Sequence, residues 1–89
     1  MQASSFFRMR YNDAEVASAV LEREWHAGQQ TKRRRNGDLD LSFQAAGLYE
    51  VFYWVLAWGR HVRVLAPKEL RDLVADEVKA MAEVVLKGK

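Results

Sequence analysis

Gln29-Gln30-Thr31-Lys32-Arg33-Arg34-Arg35-Asn36-Gly37-Asp38-Leu39-Asp40-Leu41-Ser42-Phe43-Gln44 is the stretch whose reading decides the fold. Leu39, Leu41 and Phe43 alternate with Asp38, Asp40, Ser42 and Gln44, the period of a strand with one buried face. Asn36-Gly37 ahead of it is the strongest short hairpin signal, here as a two-residue turn. The polar run before the turn is therefore expected to be an edge strand folded back on the alternating one. Upstream, Phe7, Met9 and Tyr11 alternate with Phe6, Arg8 and Arg10, which predicts a first strand. Asn12-Asp13 then offers a helix cap, and Val16, Val20 and Leu21 recur at helical spacing, predicting a helix from about Asp13 to Glu24.

Downstream of Gly47, Leu48, Val51, Phe52, Val55 and Leu56 form one stripe of a helix over Leu48–Trp58, with Gly59 where a C-cap belongs. His61 to Leu65 alternates again, and Pro67 opens a long third helix at its first position. In that helix Leu70, Leu73, Val74, Val78, Met81 and Val85 recur at helical spacing. The order β-α-β-β-α-β plus a terminal helix predicts an α+β fold, a ferredoxin-like βαββαβ sandwich with an additional C-terminal helix. The first and third strands are expected in the centre and parallel, with both helices on one face. The other face would carry Phe6, Arg8, Arg10, Asp38, Asp40, Ser42, His61 and Arg63.

The chain has 89 residues, 49% of them apolar and 29% charged, enough for one modest core and no more. A single domain over residues 1–89 is expected, with its core at about 6–84. Lys and Arg (14) exceed Asp and Glu (12) by two, a mildly basic balance. There is no Cys, which excludes a disulfide framework, a zinc ribbon and a thiol nucleophile, and a reducing cytoplasm is the simplest home. The opening Met1-Gln2-Ala3-Ser4-Ser5-Phe6-Phe7-Arg8-Met9-Arg10 is acid-free like a transit peptide but has no apolar secretory core, and reads better as a strand. The apolar segment from Leu41 to Gly59 contains Ser42, Gln44, Gly47 and Glu50, which argues against a membrane span.

Catalytic signatures do not emerge. The serines lie in no GxSxG elbow or SxxK box, the glycines form no phosphate loop, and His26 and His61 lack ligand spacing. No catalytic residue, metal ligand or cofactor is expected. Asp38 and Asp40 share a strand face as an acid/base pair would, but arginines facing them would hold both ionised as sheet ion pairs. Two features call for a partner. Lys32-Arg33-Arg34-Arg35 reads either as a charged edge strand or as a phosphate contact. Arg8, Arg10 and Arg63, with Phe6, would add guanidinium planes and an aromatic to the bare sheet, where single-stranded bases stack. The candidate nucleic-acid or anion contact is thus Arg8, Arg10, Arg33, Arg35 and Arg63. The second helix carries Tyr49, Tyr53, Trp54 and Trp58 beside its core stripe, so it wants cover on two sides. These four are the candidate protein interface, covered by the third helix or by another protomer or domain.

Several segments carry a family likeness: Trp25-His26 followed by Gln29, then Asp38 to Gly47, then Trp54-Val55-Leu56-Ala57-Trp58-Gly59, then Val62-Arg63-Val64-Leu65-Ala66-Pro67-Lys68-Glu69-Leu70-Arg71. Over about Phe6 to Val84 the chain resembles the C-terminal extension (WCX) domain of bacterial WYL-domain transcriptional regulators. The resemblance implies a ferredoxin-like fold and a non-catalytic, dimerisation and ligand-responsive role. The parent chain would also hold a helix-turn-helix domain that binds DNA and a WYL domain that senses a ligand. Where that family often has Arg before the Trp of the second helix, this chain has Tyr53. The expectation is a homodimeric regulatory module helping couple ligand sensing to DNA binding. The alternative is a free-standing module that grips single-stranded nucleic acid or an anionic ligand on its basic sheet face.

Overall fold

The computed structural model describes residues 5–22 and 25–88, an α+β arrangement of one four-stranded antiparallel sheet and three α-helices. The elements run β1 (Ser5–Tyr11), α1 (Ala14–Leu21), β2 (Gln30–Arg33), β3 (Leu39–Ala45), α2 (Leu48–Trp58), β4 (Val62–Ala66) and α3 (Lys68–Lys87). Spatial order in the sheet is β2-β3-β1-β4. The expected parallel pairing of the first and third strands is corrected: β1 and β3 run antiparallel, from Ser5 opposite Ala45 to Tyr11 opposite Leu39. The cause is the hairpin. A crossover helix makes β1 and β2 point the same way, and the tight turn after β2 then reverses β3.

The two-residue turn is also corrected. Arg34 N–H donates to the Asp38 carbonyl at 2.7 Å and Gly37 N–H to the Arg34 carbonyl at 3.0 Å, so three residues, Arg35-Asn36-Gly37, form the loop. Within this loop only Gly37 has a positive φ, 97°, whereas a two-residue type I′ turn requires one at Asn36 too. Gly37 therefore serves as the bulge residue of a three-residue hairpin, a conformation that an L side chain adopts only with strain.

Helix α1 begins at Ala14, one residue later than expected, with Asp13 as its cap: Asp13 Oδ1 accepts from the N–H groups of Glu15 and Val16 at 2.8 and 3.3 Å. It ends earlier than its apolar spacing suggested, at Leu21, and residues 23–24, where its end was expected, lie outside the described residues. Residues 1–4 of the transit-like opening lie outside them too. Helix α2 spans the expected Leu48–Trp58, and Gly59 (φ 64°) stops it. A 3-10 turn over Gly59–His61 then intervenes, so β4 begins at Val62 and not at His61. Pro67 occupies the cap of α3 and not its first turn.

One side of the sheet is the core. Phe7, Met9, Tyr11, Leu39, Leu41, Phe43 and Val64 point to it and meet Ala17 and Val20 of α1, Val51, Phe52 and Val55 of α2, and Leu70 of α3. Fully burying each large apolar side chain contributes about 1.5–3 kcal/mol, so this layer is the main source of stability. The period-2 alternation put these residues on one face, and all three helices cover that face. The other face is open.

Candidate functional site

The open face is built by register. Lys32 of β2 pairs with Asp40 of β3, Asp40 with Arg10 of β1, and Arg10 with Arg63 of β4, giving one row of charges across the sheet. Arg10 Nε donates to Asp40 Oδ1 at 2.7 Å and Arg10 Nη2 to Oδ2 at 3.2 Å, a two-pronged pair. Arg34, at the base of the hairpin loop, adds a third contact to Asp40 Oδ2 at 3.0 Å. These bonds, the Arg10 ones foremost, hold the Asp40 carboxyl below its ordinary range, and the same bond to Asp40 raises the Arg10 guanidinium above its own. A carboxylate saturated by two guanidinium groups has no proton to trade, so Asp40 is a structural anion. Asp38 is occupied separately, accepting from Asn36 Nδ2 at 3.2 Å.

Arg8 lies one pleat away from Arg10, opposite Ser42 and Ala66. Arg8 and Arg63 are exposed and make no ion pair among the described residues. Phe6, 49% exposed, lies beyond Arg8 on the same face. The structure thus brings Arg8, Arg10, Arg63 and Phe6 together. It does not add Arg33 and Arg35 to them. Arg33 pairs with inward-facing Leu39, so it stands on the helix side of edge strand β2 and donates to the Gly37 carbonyl at 3.2 Å. Arg35 sits in the hairpin loop. Lys32 and Arg34, absent from the sequence-derived set, belong to the face instead. Strand parity, counted through the three-residue loop, was the signal that could have found Lys32.

His61 leaves the sheet face where it was expected. It closes the 3-10 turn, with Nδ1 3.8 Å from Asp13 Oδ2, because Gly59 delays the start of β4. Asp13 is held below the usual carboxylate range chiefly by the α1 backbone N–H groups it accepts from.

The aromatic helix is less open than its sequence suggested. Trp54 and Trp58 turn inward, and Trp25 from the α1–β2 loop lies 5.7 Å from each of them, ring centre to ring centre. Tyr11 of β1 meets Trp58 edge-to-face at 5.6 Å. His26 stacks on Phe43 at 3.7 Å and lies nearly perpendicular to Trp54 at 5.5 Å, and burial there lowers its pKa while Glu50 opposes the shift. The loop is pinned by Gln29, whose Oε1 accepts from the N–H groups of Trp25 and His26 at 2.8 and 3.1 Å. Trp25 Nε1 in turn donates to the Val20 carbonyl at 2.9 Å. Only Tyr49 and Tyr53, 59% and 65% exposed, remain as an outward aromatic pair. The second cover of α2 is therefore largely Trp25, a residue with no periodic signal, together with α3, which packs on α2 and β4.

Packing residues, not reactive ones, are what the segments Trp25-His26-Ala27-Gly28-Gln29 and Trp54 to Gly59 supply. Residues 7–82 match the family model of the WCX domain. The chain belongs to the WCX domain family. WCX domains are C-terminal domains of WYL regulators, which assigns a regulatory role in general terms. No curated protein matches the chain closely enough to add a named relative. Within this WCX domain, no cluster of three His, Cys, Asp or Glu side chains that could hold a metal occurs among the described residues. No helix among them is long and apolar enough to cross a membrane.

Proposed function

We propose that this chain is a non-catalytic regulatory and dimerisation module of a bacterial, cytoplasmic WYL-type transcriptional regulator, helping couple ligand sensing to DNA binding by helix-turn-helix and WYL domains of its parent chain. The observation that carries this reading is the WCX match across residues 7–82, which spans every strand and all three helices at least in part. The ferredoxin-like assignment belongs to the same reading and is supported by the strand order β2-β3-β1-β4 with neighbouring strands antiparallel. Tyr49 and Tyr53, backed by Trp54 and Trp58, form the protein interface of α2. An exposed tyrosine pair on a rigid aromatic base is the composition that protein contacts favour. Such a module acts by favouring one placement of the DNA-reading domains over another when ligand binds next door. The test is the mass of the endogenous polypeptide, detected with an antibody raised against this domain, with the DNA that co-precipitates. A regulator of three domains, roughly 300 residues, that brings down discrete DNA sites supports the reading. A product of about 10 kDa with no DNA overturns it.

A second reading has its own observation. Arg8 and Arg63 are unpaired among the described residues while Asp40 is already neutralised, so the face retains free positive charge beside Phe6. That arrangement suits single-stranded nucleic acid or another anionic ligand.

A further inference from the structure

The open face of the sheet is not evenly filled. Three rows of side chains cross it: Phe6 beside Gln44, Arg8 beside Ser42 and Gln30, and Arg10 beside Asp40 and Lys32. Ser42 is the shortest of these and stands at the middle of the middle row, so the longer side chains around it enclose a dimple. Two hollows of about 300 and 190 Å³ meet there and share Ser42 and Gln30. The larger runs past Gln44 to Phe6 and is walled by Ala27 and Gly28 of the α1–β2 loop. The smaller reaches Arg8, Lys32 and Asp40. The larger by itself lies at the lower end of small-ligand sites, which enclose roughly 300–1,000 Å³.

The two ends differ in chemistry. At one end Arg8 and Lys32 have no ion pair and the Ser42 hydroxyl no hydrogen bond among the described residues, which leaves two cations and a hydroxyl for one acceptor group. Asp40 borders that end, but Arg10 and Arg34 already occupy both of its carboxylate oxygens. A phosphate monoester carries a charge of about −1.5 to −2 at pH 7 and three acceptor oxygens, which matches these donors better than the single charge of a backbone diester. Arg63 stands on β4, two strands from Ser42 and opposite Arg10, so the free positive charge nearest the dimple is that of Arg8 and Lys32. At the other end Phe6 presents a ring that is 49% exposed, and the amides of Gln44 and Gln30 have no partner among the described residues. Phe6 lies two strand residues from Arg8, roughly 6.8 Å along the strand, about the span of the ribose between phosphate and base in a nucleotide.

We propose that this dimple binds the 5′-monophosphate group of a nucleotide, its phosphate over Ser42 between Arg8 and Lys32 and its base stacked on Phe6 beside the Gln44 amide. The inference rests on the reading of the open face as an anion site, and it goes beyond that reading in assigning what the face selects: a phosphate monoester carrying a planar base.

Amide chemical-shift titration of the isotope-labelled chain at low salt tests it, with adenosine 5′-monophosphate, adenosine, inorganic phosphate, and a short oligonucleotide with and without a 5′-phosphate as probes. The expected result is saturable binding of the monophosphate at tens to hundreds of micromolar, centred on Ser42, with adenosine at least ~10-fold weaker. Arg8→Ala and Lys32→Ala should each weaken the monophosphate about tenfold, since each removes a charge-assisted hydrogen bond, while Lys79→Ala, an equal loss of charge on α3, leaves it unchanged. Ser42→Val, whose branched side chain suits a strand and fills the dimple, should abolish binding. Phe6→Ala should weaken the monophosphate about tenfold and leave inorganic phosphate unaffected, because it removes the stacking platform alone. Tighter binding of the free monophosphate than of the phosphorylated oligonucleotide assigns the site to a free nucleotide, and the reverse order to the phosphorylated end of a strand; both support the site. Equal affinity for adenosine and its monophosphate, or unchanged binding in Arg8→Ala with Lys32→Ala, overturns it. An oligonucleotide that binds equally well without its 5′-phosphate overturns the monoester assignment and leaves the single-strand reading standing, whereas no binding of any probe overturns both.

Discussion

Tyr11 is fully buried, and neither its hydroxyl nor Trp58 Nε1 finds a hydrogen-bond partner among the described residues. Burial pushes the phenol pKa far up, so the ring acts as a neutral packing element. A buried hydroxyl without a partner costs about 1–3 kcal/mol, whereas the same ring without it costs nothing in hydrogen bonding. Tyr11→Phe is therefore expected to leave stability unchanged or raise it by up to about 2 kcal/mol, measured as the urea midpoint. A clear drop in midpoint would show that the hydroxyl is in use. Asp40 is the opposite case, a polar group over-supplied with partners, and its neutralisation by arginines was legible from alternation alone. The identity of the second arginine was not. Arg34 reaches Asp40 only because the hairpin loop has three residues, a count that Asn36-Gly37 does not determine by itself.

At the scale of elements, every strand and helix was legible where apolar spacing repeats at least three times: β1, β3, α2 and α3. The α1–β2 connection was not, because it is organised by hydrogen bonds and one large ring, which leave no period. Gln29 Oε1 holds two adjacent N–H groups and so sets Trp25 against Trp54 and Trp58. Gln29→Ala should cost about 1–2 kcal/mol and mobilise the indole of Trp25, seen as a red shift and increased quenching of tryptophan fluorescence. If stability and emission stay at wild-type values, Gln29 is not what seats Trp25. The beginning of β4 shifted for a related reason. Gly59, with its positive φ, stops α2, and a 3-10 turn then consumes His61.

Over the whole molecule, charge and shape are distributed unevenly. The open face is net basic, with Lys32, Arg8, Arg10, Arg34 and Arg63 against Asp40 and Asp38. If it binds single strands, affinity for a short oligonucleotide falls steeply with salt, and Arg8→Ala with Arg63→Ala lowers it about tenfold and flattens the salt slope by about two. No binding at low salt would remove that reading. The Cα radius of gyration is 13.9 Å, above the about 12 Å expected for a compact domain of this length. The excess is the overhang of α3, a 20-residue helix only the first half of which meets the core.

From its sequence alone this protein could be read as one small α+β domain: which residues face inward on β1, β3 and β4, where α2 begins and ends, and a likeness to WCX domains. Alternation and helical spacing are local, and burial enforces them residue by residue. Only the tertiary structure decided that Trp25 packs on Trp54 and Trp58, and that Arg33 stands apart from Arg8 and Arg63. Each depends on which distant segments meet, and a stripe of apolar residues says that it will be covered without saying by what. In α3 that distinction is sharpest. Leu70 and Val85 share one stripe in the sequence, and the core reaches only the first.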